Sequence, residues 1–136
     1  MERIFADTEV CLDLLARREP FYYAAAMLFS LADHKEIKIA VSSLSFSNLN
    51  YLLTKQYNLT ECRRILTSFK VLVEVLPVDN KVIELALSSR FTDFEDAIQY
   101  YTALQAGIDI LLTRNIKDYK LADIAVMTSE DYLKSM

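Results

Sequence analysis

Apolar residues recur along the chain at two alternating spacings, one typical of strands and one typical of helices. Short apolar runs predict strands at residues 3–7, 37–41, 71–76, 108–112 and 124–127. Between them, apolar residues at helical spacing predict helices over residues 8–16, 20–31, 44–57, 60–69, 81–89 and 93–106, with a last helix after Thr128 or Ser129. Strands that alternate with helices in this way predict an α/β fold with a central, mostly parallel sheet flanked by helices.

Residues 92–96 place many acids at the predicted start of one helix. Thr92 followed three residues later by Glu95 matches a capping box, which predicts that the helix begins at Asp93. Asp93 and Asp96 then lie on one face of the first turn. Three acids in four residues carry more negative charge than a cap needs, and carboxylates this close repel each other unless a cation lies among them. The stretch therefore predicts a site for a divalent metal.

Further polar side chains follow two of the predicted strands. Thr113, Asn115 and Asp118 come after the fourth strand, and Asp7 ends the first. If the first, second and fourth strands are neighbours, these residues meet the acids of the helix start at the carboxyl edge of the sheet, where ligands gather in such folds. Carboxylates there suit Mg²⁺ or Mn²⁺, which can activate water for attack on a phosphodiester. The alternative for Asp7 is that it only caps the helix that follows it.

Three short segments resemble motifs of one family. They are Ile-Phe-Ala-Asp-Thr at residues 4–8, Asp-Phe-Glu-Asp-Ala at 93–97 and Leu-Thr-Arg-Asn-Ile-Lys-Asp-Tyr at 112–119. In this order they are similar to those of PIN-domain proteins, in particular the VapC-type ribonuclease toxins of prokaryotic toxin–antitoxin pairs. The resemblance spans nearly the whole chain and implies a PIN-like three-layer fold in a single domain, residues 1–136. It further implies a metal-dependent endoribonuclease that uses Mg²⁺ or Mn²⁺, forms a homodimer and binds a small antitoxin protein.

The resemblance also implies roles for individual residues. It assigns the catalytic and metal-binding role to Asp7, Asp96 and Asp118. Asp93 lies beside them in the sequence pattern as a further ligand or supporting acid. Asn115 stands where some relatives have an acid, and Thr113 is expected in the same pocket, where both could orient a water or a phosphate.

Two positions depart from the family pattern. Glu9 stands where the family usually has Asn, and Asn48 stands where a helix acid is usual. Asn48 can still bind a metal through its amide oxygen, and Glu9 can restore one negative charge from another direction. The alternative is that Glu9 is an ordinary first-turn acid and Asn48 an ordinary residue of a helix surface.

Composition limits the classes of partner. The 15 basic and 19 acidic residues give a net charge of −4, which argues against a broad basic face for nucleic acid, so an RNA substrate would have to be held locally. Cys11 and Cys62 lack metal-ligand spacing and are expected to be free core residues in a reducing compartment. The single histidine, His34, excludes a histidine-rich metal site. Without a signal sequence or an apolar run of spanning length, a cytoplasmic protein is expected.

Several alternatives remain open at this point. Six tyrosines could stack on bases of single-stranded RNA or belong to the core or a dimer interface, namely Tyr22, Tyr23, Tyr51, Tyr57, Tyr100 and Tyr101. Arg114 could contact phosphate or be an exposed charge. The competing function is a PIN-like binding or regulatory module whose site has weakened. A phosphoacceptor receiver domain fits less well, because no lysine follows a late strand at a convincing position.

Overall fold

The sheet consists of parallel strands throughout. In the computed structural model, which describes residues Met1–Met136, the strands follow the order β3-β2-β1-β4-β5 and every neighbouring pair is parallel. They are β1 (Glu2–Ala6), β2 (Ile37–Ser42), β3 (Glu74–Leu76), β4 (Ile110–Leu112) and β5 (Ala125–Met127). The predicted α/β sheet is confirmed, and β1 lies between β2 and β4 as the predicted pocket requires.

Seven helices flank this sheet. They are α1 (Thr8–Leu15), α2 (Tyr22–Asp33), α3 (Ser43–Leu53), α4 (Leu59–Leu72), α5 (Asn80–Ser88), α6 (Phe94–Gln105) and α7 (Ser129–Lys134). A short 3₁₀ helix, Ile116–Tyr119, follows β4. The longest helix, α4, has 14 residues, and none combines the length and apolarity that crossing a bilayer would take.

Both faces of the sheet are buried, because alternate residues of each strand point to opposite sides. Ile4 and Ala6 of β1 belong to the larger core cluster, to which α1, α2, α3, α4 and α7 also contribute. Phe5, between them in sequence, belongs to a second cluster with Tyr100 and Ala103 of α6. Helices therefore cover each face, which gives the predicted three layers.

Two helix boundaries differ from the sequence prediction in the middle of the chain. Helix α4 runs through Leu72, so β3 begins at Glu74 and not at residue 71. Val71, which looked like the first residue of a buried strand, lies on the last helical turn and is 88% exposed. The cap of α4 is Asn58, whose Oδ1 accepts a hydrogen bond from the Glu61 amide at 2.8 Å, and not Thr60. A short apolar run alone does not distinguish a strand from the end of a helix.

Other helix ends agree with the prediction more closely. Asp79 caps α5 and Thr128 caps α7, each with its side chain accepting a backbone N–H. Gly107 follows the end of α6 at a φ of +75°, in the left-handed region that glycine tolerates best. Helix α2 begins at Tyr22, after the turn that contains Pro20, and α3 ends at Leu53, earlier than residue 57.

The two cysteines and the histidine occupy the places expected of them. Cys11 and Cys62 are free and buried in the larger core cluster. His34 lies at the carboxyl end of α2, where its Nδ1 is 2.8 Å from the Ser30 carbonyl. No disulfide or histidine ligand contributes to the site described next.

Candidate active site

The carboxyl ends of β1 and β4 position the first acid of the site. Asp7 directly follows β1, and its amide donates to the Leu112 carbonyl at the end of β4 at 3.1 Å. The Asp7 Oδ1 accepts the Val10 amide of α1 at 3.2 Å, so the residue is a helix cap. Its carboxyl also lines a cavity at this edge of the sheet. The two alternatives for Asp7 are therefore not exclusive.

The start of α6 supplies the next acids, with a different cap from the one predicted. The capping residue is Asp93, whose Oδ1 accepts the Asp96 amide at 2.9 Å, while Thr92 lies outside the helix. The predicted capping box of Thr92 and Glu95 is wrong, because Asp93 takes the capping role and frees Glu95 to point elsewhere. The Tyr119 hydroxyl lies 3.4 Å from Asp96 Oδ1, as a donor to it, and orients that carboxyl from the 3₁₀ helix.

These elements surround a cavity of about 350 Å³, which we call the acidic cavity. Its 12 lining residues are Asp7, Thr8, Glu9, Asn48, Tyr51, Leu52, Asp93, Glu95, Asp96, Gln99, Asp118 and Tyr119. Six of them are acids, and none is lysine, arginine or histidine. The negative charge of the wall is therefore not balanced from within the cavity.

The sequence-predicted residues fall into two groups. The structure brings six of them together in the acidic cavity, namely Asp7, Glu9, Asn48, Asp93, Asp96 and Asp118. Thr113 and Asn115 do not line it. Thr113 is buried behind Asp7, and its Oγ1 accepts the Asn115 amide at 3.1 Å, while the Asn115 side chain is exposed.

Burial and mutual repulsion make two of these acids reluctant to ionise. Burial raises the pKa of Asp7 to about 7, against the opposing effect of hydrogen bonds from the Thr113 hydroxyl and the Val10 amide. Burial and then the neighbouring charges of Asp93 and Asp118 raise the pKa of Asp96 to about 6. Both groups would ionise more readily beside a cation.

The donor set fits a hard divalent cation. All the ionisable ligands are carboxylates, and such oxygens are what Mg²⁺ and Mn²⁺ prefer. Gln99, which is 1% exposed, adds an Oε1 atom that has no hydrogen-bond partner. No three acidic, histidine or cysteine side chains already surround a common point closely enough to hold an ion, so binding would require side chains to rotate.

Glu9 differs from the other cavity acids because two arginines neutralise it. Its Oε2 accepts from Arg18 Nη1 at 3.0 Å and from Arg114 Nη2 at 2.5 Å. Arg114 also pairs through Nε with Asp13 Oδ2 at 3.2 Å and lies over the Phe21 ring, 4.1 Å from its centroid. Arg114 is thus neither an exposed charge nor directed at a phosphate, and both predicted roles for it are wrong.

Sequence reasoning missed several cavity residues, of which Glu95 and Gln99 are the most informative. Asn48 Nδ2 donates to Glu95 Oε1 at 2.8 Å across the cavity. Burial, followed by the charge of Asp93, raises the pKa of Glu95. Gln99 lies three residues after Asp96 and four after Glu95, and this helical spacing on α6 was the available signal.

The tyrosines divide between the predicted roles. Tyr100 is buried and packs against Phe91, with ring centroids 5.4 Å apart. Tyr51 is 67% exposed and lines the acidic cavity, so its ring is available for stacking. Tyr23 is also 67% exposed but lies on α2 and does not line the cavity.

A second cleft adjoins the acidic cavity and carries the cations that the cavity lacks. It has a volume of about 410 Å³ and shares Asp93, Asp96 and Asp118 with the acidic cavity. Its other charged residues, Arg90, Lys117 and Lys120, form what we call the basic rim. None of the three forms an ion pair within the chain.

Comparison with known proteins identifies relatives in sequence and in structure. Ribonuclease VapC1 of Aquifex aeolicus (strain VF5) is 24% identical over 139 residues, which cover 96% of this chain and 93% of the relative. FitAcB from Neisseria gonorrhoeae superposes with a TM-score of 0.72 at 21% identity, over 93% of this chain and 98% of that one. VapC20 from Mycobacterium tuberculosis, described as a sarcin-ricin loop cleaving toxin, gives a TM-score of 0.63 at 18% identity, over 79% and 86%.

A structure of VapBC2 from Rickettsia felis bound to a promoter DNA fragment is also similar, with a TM-score of 0.69 at 21% identity over 92% of this chain and 96% of that one. At these identities the structural matches establish a shared fold. The sequence model that describes the PIN domain matches residues 3–117, which is most of the chain and includes Asp7 and Asp96. This chain belongs to the PIN domain family.

Proposed function

We propose that this protein is a metal-dependent endoribonuclease that hydrolyses RNA phosphodiester bonds and acts as the toxin of a toxin–antitoxin pair. One observation carries the proposal. Six acids from separate segments of the chain line one cavity that contains no basic side chain. A fold gains nothing from concentrating unpaired carboxylates, whereas a site for a divalent cation requires them.

The residues that would hold the cation are Asp7, Asp93, Asp96 and Asp118, with the amide oxygen of Asn48 as a further ligand. When bound, a Mg²⁺ or Mn²⁺ ion supplies positive charge that activates water and stabilises the charge developing on the phosphodiester. Asp7 is held for this role by the Val10 amide, and Asp96 by the Tyr119 hydroxyl. Fixed carboxylates lose little freedom on binding an ion, which favours its capture.

RNA would reach the acids along the basic rim. Arg90, Lys117 and Lys120 lie beside Asp93, Asp96 and Asp118 in the adjoining cleft, where they can neutralise phosphates next to the bond to be cleaved. Tyr51 offers an exposed ring at the opposite part of the cavity on which an unpaired base can stack. A chain of net charge −4 would thus hold its substrate locally.

The relatives support the biological role. VapC1 is named a ribonuclease, VapC20 is described as cleaving the sarcin-ricin loop, and VapBC2 and FitAB were solved with DNA. A structure from Klebsiella pneumoniae is described as a toxin-antitoxin complex. By this likeness, the protein would act in the cytoplasm, form a homodimer and be inhibited by a small antitoxin protein.

The decisive experiment compares Asp96→Asn with Asp123→Asn in Mg²⁺- or Mn²⁺-dependent cleavage of RNA. We expect Asp96→Asn to lower the cleavage rate by about 10³-fold or more, because it removes a carboxylate from the ion and the reacting phosphate. Asp123 is an exposed acid outside the cavity, so its substitution should leave the rate unchanged. Undiminished cleavage by a folded Asp96→Asn protein would contradict the proposal.

The second candidate function is a PIN-like binding or regulatory module with a weakened site. The observation that favours it is Asn48, which contributes no charge where the family usually has an acid. A Mn²⁺ titration separates the two functions. The nuclease requires saturable binding, and a module without a site would show none.

A further inference from the structure

Helices α3 and α6 face each other across the acidic cavity through one hydrogen bond. Asn48 Nδ2 on α3 donates to Glu95 Oε1 on α6 at 2.8 Å, although the residues are 47 positions apart in the chain. We propose that Glu95 is itself a ligand of the divalent cation and that Asn48 is the positioning residue that holds it in place. This inference rests on the proposed function and adds a carboxylate that the family motifs do not include.

The geometry distinguishes Glu95 from an ordinary helix-surface acid. Glu95 lines the same cavity as Asp7, Asp96 and Asp118. It is the only lining acid whose carboxylate accepts a hydrogen bond from a neutral side chain of another helix. Since Asn48 occupies one oxygen of the carboxylate, Oε2 remains to meet an ion. The α3 wall, which has no acid of its own at this point, thereby directs negative charge from α6 into the cavity.

Gln99 gives an independent indication that something binds beside Glu95. Gln99 lies one helical turn further along α6, and its Nε2 donates to Thr8 Oγ1 at 3.2 Å and to Ser45 Oγ at 3.0 Å. Its Oε1 is buried without a partner, although Gln99 lines the cavity. A buried acceptor left unpaired costs about 1–3 kcal/mol, and a hydrated divalent cation would bring the missing donors.

The chain contains a matched pair that lacks the cavity. On α5, Asn80 Nδ2 donates to Glu84 Oε1, and both residues are exposed. Neither residue lines the acidic cavity. Asn80 and Glu84 therefore have the same chemistry as Asn48 and Glu95, without neighbouring acids, and serve as the control for a purely structural hydrogen bond.

The test measures Mn²⁺ affinity on the whole chain, by the electron paramagnetic resonance signal of free Mn²⁺, and needs no RNA. We expect Glu95→Gln to weaken Mn²⁺ binding by at least about tenfold, and Asn48→Ala to weaken it by about tenfold through the loss of positioning. Glu84→Gln should leave the affinity unchanged. Circular dichroism melting of each variant establishes that it folds.

An exchange of the two side chains tests their roles directly. The double variant Asn48→Glu and Glu95→Gln keeps one carboxylate, one amide and the hydrogen bond between them, with donor and acceptor exchanged. We expect it to recover Mn²⁺ affinity to within about threefold of the original protein, because the charge at the junction is restored. A double variant that binds no better than Glu95→Gln would overturn the role assigned to the pair.

Failure of this inference differs from failure of the proposed function. If Glu95→Gln binds Mn²⁺ as Glu84→Gln does, while the original protein binds Mn²⁺ and Asp96→Asn does not cleave RNA, only the role of Glu95 is wrong. If the original protein shows no saturable Mn²⁺ binding, or if Asp96→Asn cleaves RNA normally, the proposed function itself is wrong.

Discussion

Two groups of acids lie on opposite sides of the first turns of α1, and their surroundings differ. Glu9 and Asp13 point toward Arg114 and Arg18, which pair with them at 2.5 to 3.2 Å. The remaining acids of the acidic cavity, including Asp7 only two residues before Glu9, form no ion pair.

The difference separates a structural cluster from a site for a ligand. In the first group, the chain itself supplies the positive charge, and Phe21 covers the Arg114 guanidinium, so the group is complete without a ligand. In the second, burial and repulsion raise the pKa of Asp7 and Asp96, so the group is completed only by protons or by a cation from outside. Acidic residues alone do not indicate a metal site, whereas acids without internal partners do.

The largest effect on folding is expected from breaking the compensated group. Arg114→Ala removes the partner of Asp13, whose side chain is 4% exposed, and leaves a buried carboxyl without a counter-charge. We expect the free energy of unfolding to fall by about 3–5 kcal/mol, as measured by urea denaturation. Arg64→Ala breaks the fully exposed pair with Glu61 and should cause no measurable change. Equal effects of the two substitutions would show that the Arg114 cluster is not structural.

The uncompensated group should respond to pH in the opposite way from an ordinary ion pair. The pKa of Asp7 is raised from 3.8 to about 7, so the folded protein keeps a proton that the unfolded chain releases. The stabilisation by the neutral carboxyl is complete below pH 3.8 and is lost as the pH rises through 7. In EDTA, we expect the original protein to lose about 2–4 kcal/mol relative to Asp7→Asn between pH 4 and pH 8.

Mn²⁺ should reverse this trend. Binding requires the ionised carboxylates, so the stabilisation by Mn²⁺ increases with pH in the original protein. Urea denaturation at both pH values, with and without Mn²⁺, measures both effects. A difference between the original protein and Asp7→Asn that does not change with pH would show that Asp7 is compensated after all.

The smallest effect is expected at the basic rim, whose cations lie close to the acids without pairing with them. Replacing Lys117 and Lys120 by Ala should raise the KM for RNA by about tenfold and reduce the salt dependence of binding by about 0.7 per lost phosphate contact. The free energy of unfolding should not change, because no ion pair is lost. Lys134→Ala, at the far end of the chain on α7, is the matched control. A loss of stability in the double variant would mean that the rim neutralises the acids.

Much of the fold was predictable because it depends on local spacing. The alternation of strand and helix indicated the sheet, and the places where strands end indicated that Asp7 and Asp118 would meet the acids of α6. Boundaries were less predictable, because the run at residues 71–76 is apolar in either a helix or a strand. The capping box failed for a similar reason, since Asp93 and Thr92 are both good caps and only the packed helix start selected Asp93.

The sequence by itself determined the order of strands and helices, the family motifs and the segments from which the acids come. The tertiary structure alone decided which acid faces which partner. Glu9 pairs with Arg114, 105 residues away, and Glu95 with Asn48, 47 residues away. Charge and hydrogen bonding act over a few ångströms through space, so a residue's partner depends on how the helices and the loop after β4 pack around the end of β1, which no local pattern in the chain encodes.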